Sequence, residues 1–377
     1  MLAFDSAPPP PHEETVKNLP GGNESYLSLV WRRLRRSWTG MIGLILVCVL
    51  ILMSIFADFF APMDPKATDV GFAPPQMISF HDKEGSLTFP PRVYALGESE
   101  ELDPVTFQPI VGPDYDNPRN LGFFVKGAEY KLFGLIPASR HFFGSVDGQP
   151  VHFLGTDKFG RDVLSRAIIG SRISLTIALT VVFIVTVIGT TVGMVSGYFG
   201  GSFDTWVQRF VEVVLAFPQL PLYLALTSLI PVTAPTNVFL GFVIIVMSAL
   251  GWAQMSREVR GKTLALARID YVRAAMAVGA TDRRIIFQHI FPNVMSHVIV
   301  AVTLHIPSVV LLESFLGFLG FAVKPPLISW GLMLQDTANY SVIGTYPWIL
   351  APVGFVLITV FAFNALGDGL RDAVDPY

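Results

Sequence analysis

The chain has 377 residues, of which 52% are hydrophobic and 15% charged, with a mean hydropathy of +0.54 and a net charge of −3. Soluble chains carry about a quarter charged residues, so this one is short of solvating groups, and its near-neutral charge predicts no nucleic-acid partner. The single cysteine, Cys48, excludes disulfides, cysteine-based metal sites and thiol redox chemistry, and reads as a small buried hydrophobe.

Apolar residues fall in blocks of about twenty, the length that crosses a bilayer core. Residues 1 to about 25 are polar, with Pro8 to Pro11 in a row, and predict poor order within a cytoplasmic N-terminal tail of residues 1–37. Trp31-Arg32-Arg33-Leu34-Arg35-Arg36 then precedes an apolar run to Phe60. The run is too long for a signal peptide and lacks a cleavage pattern, so a first transmembrane helix is expected over 38–60. Its four preceding arginines hold its start in the cytoplasm.

Residues 61–172 turn polar and proline-rich without a helical period. They predict an extracytoplasmic insertion, either a small subdomain or a wrap over the membrane surface. Tyr130 to Phe143 mixes aromatics with Lys131 and Arg140, as an interfacial segment does.

Five further apolar blocks, at 173–198, 207–231, 236–255, 293–316 and 346–366, build a five-helix core over 173–377. Alternation from the first helix places 256–292 in the cytoplasm. Charge agrees, since Arg257, Arg260, Lys262, Arg268, Arg273, Arg283 and Arg284 outnumber Glu258, Asp270 and Asp282 there. The expected fold is therefore an all-α membrane protein of six transmembrane helices with both termini inside. Gly189, Gly193 and Gly197 line one face of the second helix, where small residues let helix backbones approach closely.

Within the cytoplasmic segment, Arg268 to Val278 suits a helix that Gly279 stops, and Thr281 caps a second helix over Asp282 to Phe291 that Pro292 leads toward the membrane. Two short helices meeting at a glycine make a protruding knob, kept smooth by Ala274 and Ala275. The residues alone also allow a plain basic loop resting on anionic lipid. Gly261-Lys262-Thr263 lacks the leading glycine of a phosphate-binding loop and follows a membrane helix, so no ATP site is expected. Gly200-Gly201-Ser202-Phe203-Asp204 misses the nucleophile-elbow pattern at its last glycine, and no Ser/His or paired-Asp arrangement for an intramembrane protease is evident.

The stretch Asp270-Tyr271-Val272-Arg273-Ala274-Ala275-Met276-Ala277-Val278-Gly279-Ala280, continuing to Pro292, resembles the EAA loop of binding-protein-dependent ABC importers. Arg273 stands where the loop's glutamate is usual, a form similar to the oligopeptide and dipeptide permease branch. The same branch is resembled by Leu154 to Asp162, by Gly197-Tyr198-Phe199-Gly200-Gly201, by Glu313 to Gly320, by Ser329-Trp330-Gly331 and by Gly367 to Asp372. The resemblance implies a type I ABC importer permease fold and a non-catalytic transport subunit without cofactor. It implies a homologous second permease, two ABC ATPase subunits that bind the ATP, an extracytoplasmic solute-binding protein and surrounding lipid. Asp270, Tyr271, Arg273, Ala274, Ala275, Gly279, Ala280 and Pro292 are then the ATPase-coupling residues. Peptides are the implied solute. Oligosaccharides or other small solutes on the same machinery, and a membrane scaffold without transport, are the alternatives.

Glu313 lies in the fifth apolar block, where an ionisable residue is either a pathway group or a structural hydrogen-bonding partner. Arg161, Asp162 and Arg166 either meet a partner protein or form local ion pairs. His141, His152, His289, His297 and His305 have no metal-ligand spacing and read as structural.

Overall fold

The computed structural model describes residues 26–374, apart from 83, 103, 105–108 and 232. The expected disordered stretch 1–25 and the last three residues lie outside the described residues. In chain order the elements are α1 (Tyr26–Leu34), α2 (Trp38–Ile55), α3 (Ala57–Phe60), strands β1 (Ser79–His81), β2 (Leu87–Leu102), β3 (Pro109–Leu132) and β4 (Ile136–Ser145), then α4 (Val163–Phe199), α5 (Gly201–Ala216), α6 (Gln219–Thr227) and α7 (Thr236–Leu266). There follow α8 (Asp270–Ala277), α9 (Asp282–Arg284), a widened π turn over Ile285–Ile290, α10 (Phe291–Phe318), α11 (Trp330–Leu334), α12 (Tyr340–Thr345) and α13 (Ala351–Val374).

The expectation of an all-α chain is corrected by β1–β4, which form one antiparallel meander in that order. Its strands hide from periodicity because prolines and register shifts interrupt them, as between Tyr94 and Ala95 opposite Pro118 and Asp114. Val93, Leu121 and Val151 make a small separate core beneath the sheet. The His141 ring bridges the Ala61 and Ala128 carbonyls at 2.6 and 3.0 Å, tying β4 to the end of α3.

Five helices are long and apolar enough to cross a membrane: Trp38–Ile55, Val163–Phe199, Thr236–Leu266, Asp282–Phe318 and Pro347–Val374. The straight helix expected over 207–231 is instead the pair α5 and α6, bent by 80°. Pro218 explains the break, since a proline pushes the preceding residue out of the helical region and Phe217 is extended at φ −78°, ψ 136°. The span count is therefore five, or six when the bent pair is one crossing.

α4 packs along α7, and the glycine row is where the two backbones meet. A Cβ on Gly189 would lie 2.7 Å from Met255 Cβ, one on Gly193 2.5 Å from the Ser256 carbonyl oxygen, and one on Gly197 2.9 Å from Thr263 Cβ. α13 packs against α2 through Gly40, Gly43 and Gly369, where a Cβ on Gly43 would sit 2.3 Å from the Leu366 nitrogen. Arg33 Nη1 donates to the Ala373 carbonyl at 3.4 Å, so the start of α2 and the end of α13 share one end of the bundle. The sheet sits at the other end, where the loop leading to it is held by a hydrogen bond from the Met63 N–H to Ser165 Oγ at the start of α4 (2.9 Å).

Candidate coupling loop and translocation groove

The segment between α7 and α10 is a knob with one buried anchor. α7 runs to Leu266, well past the end of the apolar block at 255, so Arg257, Arg260 and Lys262 belong to that helix. In α8 only Val272 is fully buried, against the cluster that holds Ile285 and Ile290. Asp270, Tyr271, Arg273, Ala274, Met276 and Val278 face outward, Val278 with 86% of its surface exposed, while Ala275 and Ala280 are half-buried.

Gly279 ends α8 with φ +82°, a left-handed turn that lets the Ala280 N–H reach back to the Ala275 carbonyl at 3.0 Å. No atom lies within 4 Å of where its Cβ would be, so the backbone turn, not crowding, requires glycine there. Thr281 occupies the N-cap position of α9 in extended conformation, without a side-chain cap bond.

The second arm of the knob does not stop at Pro292. α9, the π turn and α10 run on as one helix, Asp282–Phe318. A proline has no N–H and crowds the carbonyl of the preceding turn, and the wide π turn just before it supplies the room. Side chains converge on the nearby His289 carbonyl. Asn293 Nδ2 donates to it at 2.7 Å and Tyr271 Oη at 3.4 Å, while Asn293 also reaches Tyr271 Oη at 3.2 Å. Tyr271 thereby pins α8 to the arm that enters the bundle. Tyr198 Oη adds a bond to Asp282 Oδ1 at 2.7 Å, joining the knob to the end of α4.

Deeper in the bundle, α4, α6, α7 and α10 enclose a half-open groove of about 530 Å³. Val181, Val185, Leu220, Met247 and Phe315 make its walls apolar, with Gln219, Gln254, His305 and Ser308 as polar points. Sequence reasoning missed this groove, because it depends on the bend at Pro218 that turns α6 across the bundle.

Glu313 is not among its lining residues. It is fully buried, and its Oε2 accepts from Ser174 Oγ of α4 at 3.0 Å. The same Ser174 Oγ accepts the Trp330 N–H at 3.1 Å, and Trp330 Nε1 donates to the Ala167 carbonyl at 2.8 Å. Glu313 thus sits at the junction of α4, α10 and α11.

Asp157, Arg161, Asp162 and Arg166 brace the loop before α4 against the first turn of that helix. Asp162 Oδ2 caps α4 by accepting the Ser165 N–H at 2.7 Å. Asp157 Oδ2 pairs with Arg161 Nε at 2.7 Å and with Arg166 Nε at 3.5 Å. His152 is buried between Asp162 and Asp69, at 3.1 and 3.3 Å. His297 and His305 lie on α10 and His289 in the π turn.

A family model described as the inner membrane component of binding-protein-dependent transport systems matches residues 189–377, which include the knob, α10 and α13. The chain belongs to this family. It is a permease subunit of an ABC importer, a non-catalytic part whose ATP hydrolysis is done by separate subunits. A second model, the N-terminal transmembrane domain of oligopeptide transport permease C, matches residues 25–75. The oligopeptide transport system permease protein OppC of Salmonella typhimurium is 46% identical over 226 residues, covering 60% of this permease and 72% of that protein. The dipeptide transport system permease protein DppC of Bacillus subtilis is 39% identical over 225 residues, covering 60% and 68%. Among solved structures, a chain of the inward-facing MetNI methionine ABC transporter aligns with a TM-score of 0.44 at 20% identity, covering 56% of this permease and 96% of that chain.

Proposed function

We propose that this permease subunit imports oligopeptides, that it lines one half of a pathway completed by a homologous second permease, and that its knob docks on one of two ATPase subunits. An extracytoplasmic binding protein delivers the solute. The names of the relatives, oligopeptide and dipeptide permeases, support the choice of solute.

The knob carries the coupling reading. It presents Ala274, Met276, Val278 and Phe287 outward while Val272, Ile285 and Ile290 root it in the bundle. A rooted projection whose outward apolar residues stand among the exposed Arg273, Arg283 and Arg284 suits a groove on a partner protein. Because α9 runs on into α10, a push on the knob moves a membrane helix directly.

In the same reading the bent α5–α6 pair is a sixth crossing in a type I arrangement, both termini are cytoplasmic, and the sheet lies outside the bacterial inner membrane. The arginines before α2 support that orientation, since they sit at the end opposite the sheet. The β3–β4 hairpin then rests on the outer lipid surface. Its tip residues Phe133, Leu135 and Ile136 are exposed, and the Phe133 ring lies 5.7 Å from that of Phe56 at the end of α2.

Affinity purification of the tagged chain in mild detergent tests the assembly, beside a variant with residues 270–285 replaced by a flexible linker. A second permease and ATPases should co-purify, with the ATPases depleted in the variant. A well-folded chain that brings no ATPase in either form sinks the docking assignment.

A further inference from the structure

At the edge of the groove, one helical turn beyond its lining, stands a carboxylate that the bundle leaves half-used. Gln254 of α7 lies in the groove lining, and Glu258 follows one turn later on the same helix face. Gln254 Nε2 donates to Glu258 Oε1 at 2.9 Å, and His305 Nε2 of α10, also a lining residue, stands 3.8 Å from the same oxygen. Among the described residues nothing donates to Oε2. Glu258 is not itself a lining residue, but its side chain retains 30% of its surface and that of the lining residue His305 25%, so this chain closes off neither.

Cations nearby in sequence do not satisfy it. Arg260 is committed to Asp204, Nε to Oδ1 at 2.6 Å and Nη2 to Oδ2 at 2.5 Å. Among the described residues no Arg or Lys forms an ion pair with Glu258. A carboxylate beside an apolar wall is costly unless a partner compensates it.

We propose that Glu258, oriented by the groove residues Gln254 and His305, is a solute-binding site at the edge of the groove that takes the α-ammonium of a passing peptide. This rests on the peptide reading above and names the contact that reading lacks. The chemistry fits in three ways. An ammonium needs an anionic acceptor with a free lone pair, which Oε2 supplies, and such charge-assisted bonds are the strong ones. The apolar walls take a peptide's variable side chains without demanding any one of them, so the common feature of peptides is read by charge and the rest by bulk. A lone carboxylate also holds its ligand weakly enough to release it, as a conduit must.

The test uses the whole complex, this chain with its second permease, ATPases and binding protein, reconstituted in proteoliposomes. Initial ATP-dependent uptake of trialanine and of N-acetyl-trialanine is measured for wild type, Glu258→Gln and Glu258→Asp. Each variant is scored as a ratio to wild type for each peptide, so that any preference of the binding protein cancels. Glu258→Gln should lower the trialanine ratio about tenfold, as expected for losing one charge-assisted bond, and the acetylated ratio no more than about twofold. Glu258→Asp, which keeps the charge, should recover most of the trialanine uptake. Equal losses for both peptides, or no loss for either, would overturn the site. A wild-type complex that imports neither peptide overturns the peptide reading and this site with it, and is told apart by occurring without any mutation.

Discussion

Gly193 stands where the α4 and α7 backbones are nearest, and any side chain there must move one helix off the other. Gly193→Val places carbon 2.5 Å from the Ser256 carbonyl oxygen, and overpacking of that kind costs about 1–3 kcal/mol. Thermal unfolding in detergent should show a clear drop in midpoint, while Gly241→Ala, with nothing within 4 Å of the added Cβ, should show none. A second residue-scale prediction concerns Glu313. Glu313→Gln keeps an acceptor for the Ser174 hydroxyl and should express at near wild-type level, whereas Glu313→Leu strands Ser174 at the α4–α10–α11 junction and should lower the yield of folded protein several-fold. Normal yield of Glu313→Leu would refute the junction role. The glycine row of α4 was legible because three glycines repeat at one spacing on one helix. Gly40, Gly43 and Gly369, or Gly317 against Gly331, meet as closely, but they form no row at one repeated spacing, and one sequence does not say which helices meet.

At the scale of elements, the knob moves with the bundle only while α8 and the arm into α10 stay locked. Tyr271→Phe removes the hydroxyl shared by Asn293 and the His289 carbonyl, a loss of about 0.5–1.5 kcal/mol. Amide exchange in α8 should quicken, and more ATP should be hydrolysed for each solute imported; unchanged exchange would show that the hydroxyl locks nothing. Gly279→Asp tests the docking face itself. Aspartate tolerates the left-handed turn better than most residues and has space within this chain, so the variant should fold and yet fail to couple hydrolysis to transport. Normal transport would remove the knob's tip from the docking face. Start and stop residues made the knob readable, since Gly279 and Thr281 punctuate it where the structure does. The run-on through Pro292 was not readable, because proline ordinarily ends a helix and only the π turn before it makes continuity possible. Pro218 was the converse, a visible breaker set inside an apolar block whose length suggested one straight crossing.

For the molecule as a whole, the helical bundle was legible and the sheet was not. Membrane helices announce themselves by length and hydropathy, whereas the strands of 79–145 carry prolines, bulges and exposed aromatics that leave no regular alternation. The placement of that sheet is open to direct measurement. With Cys48 changed to serine, a fluorophore on Leu135→Cys should be quenched by brominated lipid in a reconstituted bilayer, and one on Gly85→Cys, at an open turn on the β1–β2 side of the sheet, should not. Quenching at neither site would detach the hairpin from the membrane surface. The contact between α2 and α13 has a consequence in time. Gly40 and Gly43 find their partners only in a helix made some three hundred residues later, which at ribosomal speed means roughly 15–60 s of waiting. Until then α2 stands in lipid with its close-packing face vacant, a nascent helix that a membrane chaperone must shelter or a quality-control protease will meet first.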